Sequence, residues 1–190
     1  MKLGLYGGSF DPVHAGHLLA AQAAIEELSL DRLFFVPAAQ SPFKQENEMA
    51  PAQIRVKLLR LALAGKTRCE IDTQEIRRGG VSYAIETVRD YADRFPAARL
   101  FYLVGADNVP KLNEWRDAPA LAGMAEFVAV PRPGHMSADF PKPFRGTILK
   151  GFPAEISSSQ IRARIKANLP VENLAPPAVA EAIRNNRLYL

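Results

Sequence analysis

The sequence predicts an α/β fold: a mainly parallel, doubly wound sheet of five to six strands with helices on both faces. Three observations carry that expectation. Short apolar runs alternate with longer segments whose apolar residues recur at helical spacing, over most of the 190-residue chain. Runs such as Arg32–Val36 and Arg99–Val104 are apolar almost without interruption, as strands buried on both faces must be. The residues with chemistry to offer fall just after the runs: the Gly7–His17 loop, Lys44, Arg78, Asp107 and Arg132. In an open parallel sheet those positions meet beyond the carboxyl ends of the strands, where strand order reverses. Crossovers in such a sheet are right-handed.

The elements follow in order. Lys2–Tyr6 is a strand ended by Gly7-Gly8, and Gly16 to Leu28 places Leu18, Leu19, Ala21, Ile25 and Leu28 on one broad helical face. Arg32–Val36 is the second strand, stopped by Pro37, and Ala38 to Glu48 is a polar loop carrying Ser41-Pro42-Phe43-Lys44. Pro51 suits the start of a helix with the stripe Ile54, Leu58, Leu61 and Leu63. Arg68–Asp72 is a third strand, and Arg77-Arg78-Gly79-Gly80 reads as a basic loop. Ser82 is placed to cap a helix bearing Ile85, Val88 and Tyr91. Arg99–Val104 is the fourth strand, after which Gly105-Ala106-Asp107-Asn108 turns into a short helix reaching Trp115. Glu126–Val130 is the fifth, closed by Pro131. Pro131 to Gly146 is Pro- and Gly-rich surface loop, and Thr147–Lys150 is a candidate sixth strand. Ser157 and Gln160 have the spacing of a capping box, ahead of a helix with Ile161 and Ile165 on one face. A last helix runs from about Pro177 to Asn185.

Length suits one domain, 1–190, with a helical C-terminal part from about residue 157 packed on it. The net charge of +4 suits an anionic partner. The basic residues are spread without a block or an aromatic-laced stripe, so nucleic acid is not an expected partner. With Cys69 as the only cysteine, no intrachain disulfide forms and a reducing compartment is expected. No stretch approaches the roughly 20 apolar residues of a membrane span. The expectation is a cytoplasmic protein without membrane partners; a homo-oligomer is left open.

The most informative stretch is Gly7-Gly8-Ser9-Phe10-Asp11-Pro12-Val13-His14-Ala15-Gly16-His17. It joins a strand to a helix start through glycines and two imidazoles, a geometry that holds phosphate. It is neither a G-x-G-x-x-G fingerprint nor a P-loop, which disfavours hydride transfer and Walker-type hydrolysis. The histidines lack the spacing of a zinc-binding H-E-x-x-H pair, and His135 is remote, so no protein-held metal is expected.

This stretch resembles the signature of nucleotidyltransferases with a (H/T)-x-G-H motif. With Ile156-Ser157-Ser158-Ser159-Gln160-Ile161-Arg162, it resembles the bacterial nicotinate-nucleotide adenylyltransferases. The likeness extends through Pro37…Pro42-Phe43-Lys44, Gly80…Ser82-Tyr83…Thr87, Gly105-Ala106-Asp107-Asn108…Trp115 and Pro131-Arg132, in the family order. It implies a Rossmann-like fold and transfer of the adenylyl group of ATP to nicotinate mononucleotide, releasing pyrophosphate, with Mg²⁺ carried on the ATP phosphates. A phosphate monoester, with a second pKa of about 6, is already mostly a dianion at neutral pH, so the attack needs alignment and charge stabilisation rather than a base.

The resemblance also implies roles. His14, His17, Lys44 and Arg162 would act at the reacting phosphates. Gly7, Gly8, Ser9 and Phe10 would line ATP with backbone groups, joined by Gly105, Asp107, Arg132 and Ser158. Nicotinate mononucleotide would meet Lys44, Ser82, Tyr83, Ala84, Thr87 and Trp115, its carboxylate received by backbone N–H groups. Ala84 stands where the family commonly has threonine, which leaves a backbone contact but no hydroxyl. Simpler readings stand beside these: Lys44 as solvated surface, Asp107 as a helix cap, Trp115 as core and Arg132 as part of a turn. Two alternative functions stay open, pantetheine-phosphate adenylyltransferase and an enzyme preferring nicotinamide mononucleotide.

Overall fold

The computed structural model describes residues 1–40, 49–132, 139–152 and 154–190. Strands β1 (Lys2–Gly8), β2 (Arg32–Pro37), β3 (Cys69–Ile71), β4 (Arg99–Gly105), β5 (Glu126–Val130) and β6 (Gly146–Ile148) form one sheet in the order β3-β2-β1-β4-β5-β6. Every neighbouring pair is parallel. The chain winds outward from β1 to β3, returns to lay β4 beside β1, and winds outward again to β6. Strand order therefore reverses between β1 and β4, and a crevice opens there at the carboxyl ends.

The helices are α1 (Ala15–Glu27), α2 (Ala52–Leu63), α3 (Gln74–Arg78), α4 (Ala84–Arg94), α5 (Ala118–Met124), α6 (Ser158–Lys166) and α7 (Pro177–Asn185), with a 3-10 segment at Ala106–Glu114. The central strands send alternate residues to opposite cores. Leu33, Phe35, Phe101 and Leu103 pack with Ala20, Ala21 and Ala24 of α1, Leu58 and Leu59 of α2, and Val179 and Ile183 of α7. Phe34, Val36, Leu100, Tyr102 and Val104 pack with Ile85, Val88 and Tyr91 of α4, Val109 and Leu112 of the 3-10 segment, and Leu121 of α5. A strand sandwiched this way has no polar face to show, which is why these runs are apolar throughout.

Five details differ from expectation. In α1 the sheet-facing surface is built from alanines, and Leu19 points outward, 36% exposed. Small side chains let the helix lie close to the glycine-containing β1, so chain volume rather than hydropathy decides its face. Arg77 and Arg78 belong to α3 rather than to a loop; the loop is Gly79 and Gly80, both at positive φ. The start of α3 is held by Asp72, whose carboxylate accepts the Gln74 N–H at 3.0 Å. Ser82 does not cap α4: Tyr83 occupies that place, and the Ser82 hydroxyl accepts the Ala39 N–H at 2.9 Å. Helix α5 lies in a stretch that carried no expected element. The flanking strands are slightly shorter or shifted relative to the expected Arg68–Asp72 and Thr147–Lys150. The capping box at Ser157 forms as expected: Ser157 Oγ accepts the Gln160 N–H at 3.2 Å, and Gln160 Oε1 accepts the Ser157 N–H at 2.8 Å. Among the described residues, no helix is long and apolar enough to cross a membrane.

Candidate active site

A cavity of about 600 Å³ occupies the crevice at the β1/β4 reversal. Its floor is Tyr6, Gly7 and Gly8 of β1 and Leu103, Val104 and Gly105 of β4, and Val130 closes it at the end of β5. Helix beginnings surround it: Gly16 and His17 of α1, Tyr83 and Ala84 of α4, and Ser157, Ser158 and Ser159 of α6 all line it. Helix starts present unpaired N–H groups and the positive end of the backbone dipole, so three of them around one cavity make it receptive to anions. Gly7 is required by close approach, since a Cβ there would sit 2.5 Å from the Tyr102 hydroxyl. At Gly16 a Cβ would press within 3.1 Å of the His14 ring, so this glycine makes room for the imidazole.

The imidazoles of His14 and His17 lie 3.7 Å apart between centroids and both line the cavity. The His14 backbone N–H donates to His17 Nδ1 at 3.2 Å. A neutral His17 that accepts at Nδ1 carries its proton on Nε2, leaving that nitrogen as the ring's donor. Both rings are held neutral. Burial, with Arg132 nearby, pushes His14 down to about 4. Burial, then His14, then Arg132, hold His17 well below its ordinary value. His14 Nδ1 is buried and has no hydrogen-bond partner among the described residues.

Behind the loop is a polar knot. Arg55 of α2 is fully buried, and its guanidinium donates to the carbonyls of Ala50 (3.0 Å), Ser9 (2.8 Å) and Ala38 (2.7 Å). It thereby holds the exits of β1 and β2 together. Arg162 donates to the Asp11 carbonyl at 2.6 Å, and Ser158 Oγ donates to the Pro12 carbonyl at 2.9 Å. The buried Asp11 carboxylate accepts the Tyr189 hydroxyl at 2.8 Å. Helices α2 and α6 and the C-terminal segment thus all fasten on the Ser9–Pro12 stretch.

Across the cavity mouth, Arg132 Nε lies 3.1 Å from Asp107 Oδ1. On the α4 side, the Arg116 guanidinium stacks 4.6 Å over the Tyr83 ring and pairs with Glu86 at 3.5 Å. Trp115 meets Tyr102 edge-on at 6.0 Å, and its buried Nε1–H has no hydrogen-bond partner among the described residues.

The cytidylyltransferase-like family model matches residues 5–164. A probable nicotinate-nucleotide adenylyltransferase of Opitutus terrae is 40% identical over 192 residues, covering 100% of this chain and 98% of its own length. One from Thermus thermophilus is 40% identical over 191 residues and 100% of both chains. The chain belongs to the nicotinate-nucleotide adenylyltransferase family. Its fold is also that of the Plasmodium falciparum nicotinic acid mononucleotide adenylyltransferase complexed with NaAD. That structure has a TM-score of 0.80 at 17% identity and covers 99% of this chain and 97% of that one.

Most of the residues expected from the family resemblance meet at the cavity: Gly7, Gly8, Ser9, His14 and His17 on one side, Gly105, Asp107 and Arg132 at the mouth, Ser82, Tyr83, Ala84 and Trp115 on the α4 side, and Ser158 on α6. Three of this adenylyltransferase's expected site residues do not line it. Phe10 turns its ring into the core against Tyr6, His17 and Phe35. Thr87 is fully buried behind the wall, donating its hydroxyl to Glu75. Arg162 faces the Asp11 carbonyl. Lys44 lies outside the described residues. Sequence reasoning passed over Glu75, Tyr102, Asn108 and Arg116, all of which line the cavity. Arg116, directly after Trp115, carried a signal as a cation on the expected acceptor side; Glu75 carried none, because a carboxylate on a short helix reads as surface.

Proposed function

We propose that this chain joins nicotinate mononucleotide to the adenylyl group of ATP, giving nicotinate adenine dinucleotide and pyrophosphate, by direct in-line displacement. The observation that carries the reading is the convergence of three helix starts, from α1, α4 and α6, on one cavity at the sheet's switch point. A reaction between two phosphate-bearing anions needs several anion-receptive surfaces facing one space. A phosphate oxygen of the acceptor forms a bond to the α-phosphorus of ATP as the bond from that phosphorus to the β-phosphate bridging oxygen breaks. The electron pair leaves with pyrophosphate. No proton has to be removed from the attacking group, which fits two histidines held neutral as donors rather than charged acids.

In this reading His17 donates from Nε2 to an oxygen of the transferring phosphoryl group, and His14 shares that work. Gly7, Gly8 and Ser9 face ATP with backbone groups, Gly105 and Asp107 face its ribose side, and Arg132 joins it by exchanging Asp107 for the nucleotide. Ser158 and the start of α6 receive the β- and γ-phosphates. Arg162 braces Asp11 and reaches a phosphate by exchanging the Asp11 carbonyl for it. Lys44 adds positive charge near the phosphates. The acceptor's pyridine stacks at Trp115, and its carboxylate meets the N–H groups of Tyr83 and Ala84 at the start of α4. Arg116 adds positive charge to that wall, which favours nicotinate over neutral nicotinamide.

Mg²⁺ enters as part of the ATP. In this reading phosphate oxygens and water keep the ion, as is common for Mg²⁺. EDTA is expected to stop turnover and excess Mg²⁺ to restore it, with the Tm of the nucleotide-free protein unmoved by either. The deciding experiment is pyrophosphate release with ATP, Mg²⁺ and one of nicotinate mononucleotide, nicotinamide mononucleotide or phosphopantetheine. Fastest turnover with the first is expected; none with it would reject the proposal.

A further inference from the structure

We infer that Glu75, joined to Thr87, is the positioning residue of the acceptor subsite: it steadies the Ser82–Tyr83–Ala84 turn whose N–H groups meet the nicotinate carboxylate. The inference rests on the function proposed above and deepens it. Glu75 sits on the short helix α3, yet it is buried at 4% exposure, and it borders the cavity alongside Ser82 and Tyr83. Its carboxylate receives the hydroxyl of Thr87, one turn into α4. Glu75 thus holds the first turn of α4 just beyond Tyr83 and Ala84.

The grip continues outward. Ser82 Oγ accepts the Ala39 N–H at 2.9 Å, and the Ser82 N–H donates to the Gln40 carbonyl at 2.9 Å. The turn is therefore held between α3 and the exit of β2, with its backbone fixed from below. Outside it, Arg78 at the end of α3 pairs with Glu86 of α4 at 3.0 Å. Thr87 touches nothing in the cavity, so its contribution to acceptor binding passes through Glu75. Burying a carboxylate is costly for stability alone. Its placement is intelligible as the means of holding a turn in one geometry, because receiving a carboxylate demands N–H groups fixed to within a fraction of an ångström.

The test compares wild type with Glu75→Gln, Thr87→Val and Thr87→Ser. Steady-state kinetics is run with ATP and nicotinate mononucleotide, and amide hydrogen exchange is measured without nucleotide. Glu75→Gln and Thr87→Val are expected to raise KM for nicotinate mononucleotide about tenfold, with KM for ATP within about twofold of wild type. Thr87→Ser, which keeps the hydroxyl, is expected to restore the wild-type value. Exchange across residues 82–87 is expected to quicken in the first two variants and stay unchanged at the exit of β1. Acceptor KM within about twofold of wild type in both variants, or equal movement of both KM values, overturns the inference. So does unchanged exchange across 82–87. A wild type without turnover on nicotinate mononucleotide rejects the function itself, and the exchange result then decides the positioning role. The Thr87 pair carries the test should Glu75→Gln fail to fold.

Discussion

Burial keeps His14 and His17 neutral where most exposed histidines begin to charge, and this shapes both catalysis and stability. His17→Ala is expected to lower kcat by about 10²–10³-fold, the usual cost of a donor to developing phosphoryl charge, with the fold retained by circular dichroism. Near-normal kcat in that variant would remove its assigned role. The folded His14 binds its proton at about 4, against 6.5 for the unfolded chain. Between those values the unfolded state holds more protons, so stability is complete above the unfolded value and falls as pH drops through the window. The Tm of the nucleotide-free protein is expected to decline from pH 6.5 toward 4, more steeply in wild type than in His14→Gln. Equal slopes would show that His14 is not the titrating group. His14 and His17 could be singled out in the sequence, since two imidazoles at a helix start are rare there. Their neutrality could not, because it depends first on what folds over the rings, then for His17 on the neighbouring His14 ring, and for both on Arg132, more than a hundred residues away.

Helix α6 shows how one element serves stability and binding with adjacent residues. Ser157 closes the capping box, while Ser158 and Arg162 fasten the helix start to the Pro12 and Asp11 carbonyls. Ser157→Ala is expected to cost about 1 kcal/mol by chemical denaturation, with little change in KM for ATP. Arg162→Lys, which loses the planar fork, is expected to raise KM for ATP several-fold with a smaller stability cost. If both variants changed the same parameter, the division of labour would fail. The capping box was legible because its signal is a four-residue spacing. Helix α5 was not, because its short apolar content lacks a repeat and it forms by packing Leu121 under the sheet. Helix α3 was hidden for a related reason. Its Arg77 and Arg78 suggested a loop, and the Asp72 carboxylate that starts it was read only as a strand end. Burial alone would raise Asp72, yet the hydrogen bonds from Arg94, Tyr91 and the Gln74 N–H hold it below its ordinary value.

Over the whole molecule, the C-terminal segment closes on the signature loop. Tyr189 donates to the buried Asp11 carboxylate, whose Oδ2 has no hydrogen-bond partner among the described residues. Tyr189→Phe keeps the ring and deletes that bond, so about 2 kcal/mol of stability is expected to be lost in denaturant titrations. Because Asp11 lies between Ser9 and His14, KM for ATP is expected to rise in the same variant. Unchanged stability and unchanged KM would show that the contact is incidental. Arg55 acts at the same scale, holding the carbonyls of Ser9 and Ala38 from two strands that meet only in the folded sheet.

The sequence by itself determined the alternation of strands and helices, the both-face burial of the central strands, the loop at the end of β1 and the motifs that resemble one enzyme family. Each is encoded within a dozen neighbouring residues as a period, a turn or a cap. Tertiary packing alone placed Thr87 behind the cavity wall rather than in it, turned Arg162 to Asp11, set Glu75 at the cavity and brought Tyr189 to the Gly7–His17 loop. Those facts are contacts between residues far apart in the chain. Burial of a polar side chain is set by what folds against it, and no local pattern records that.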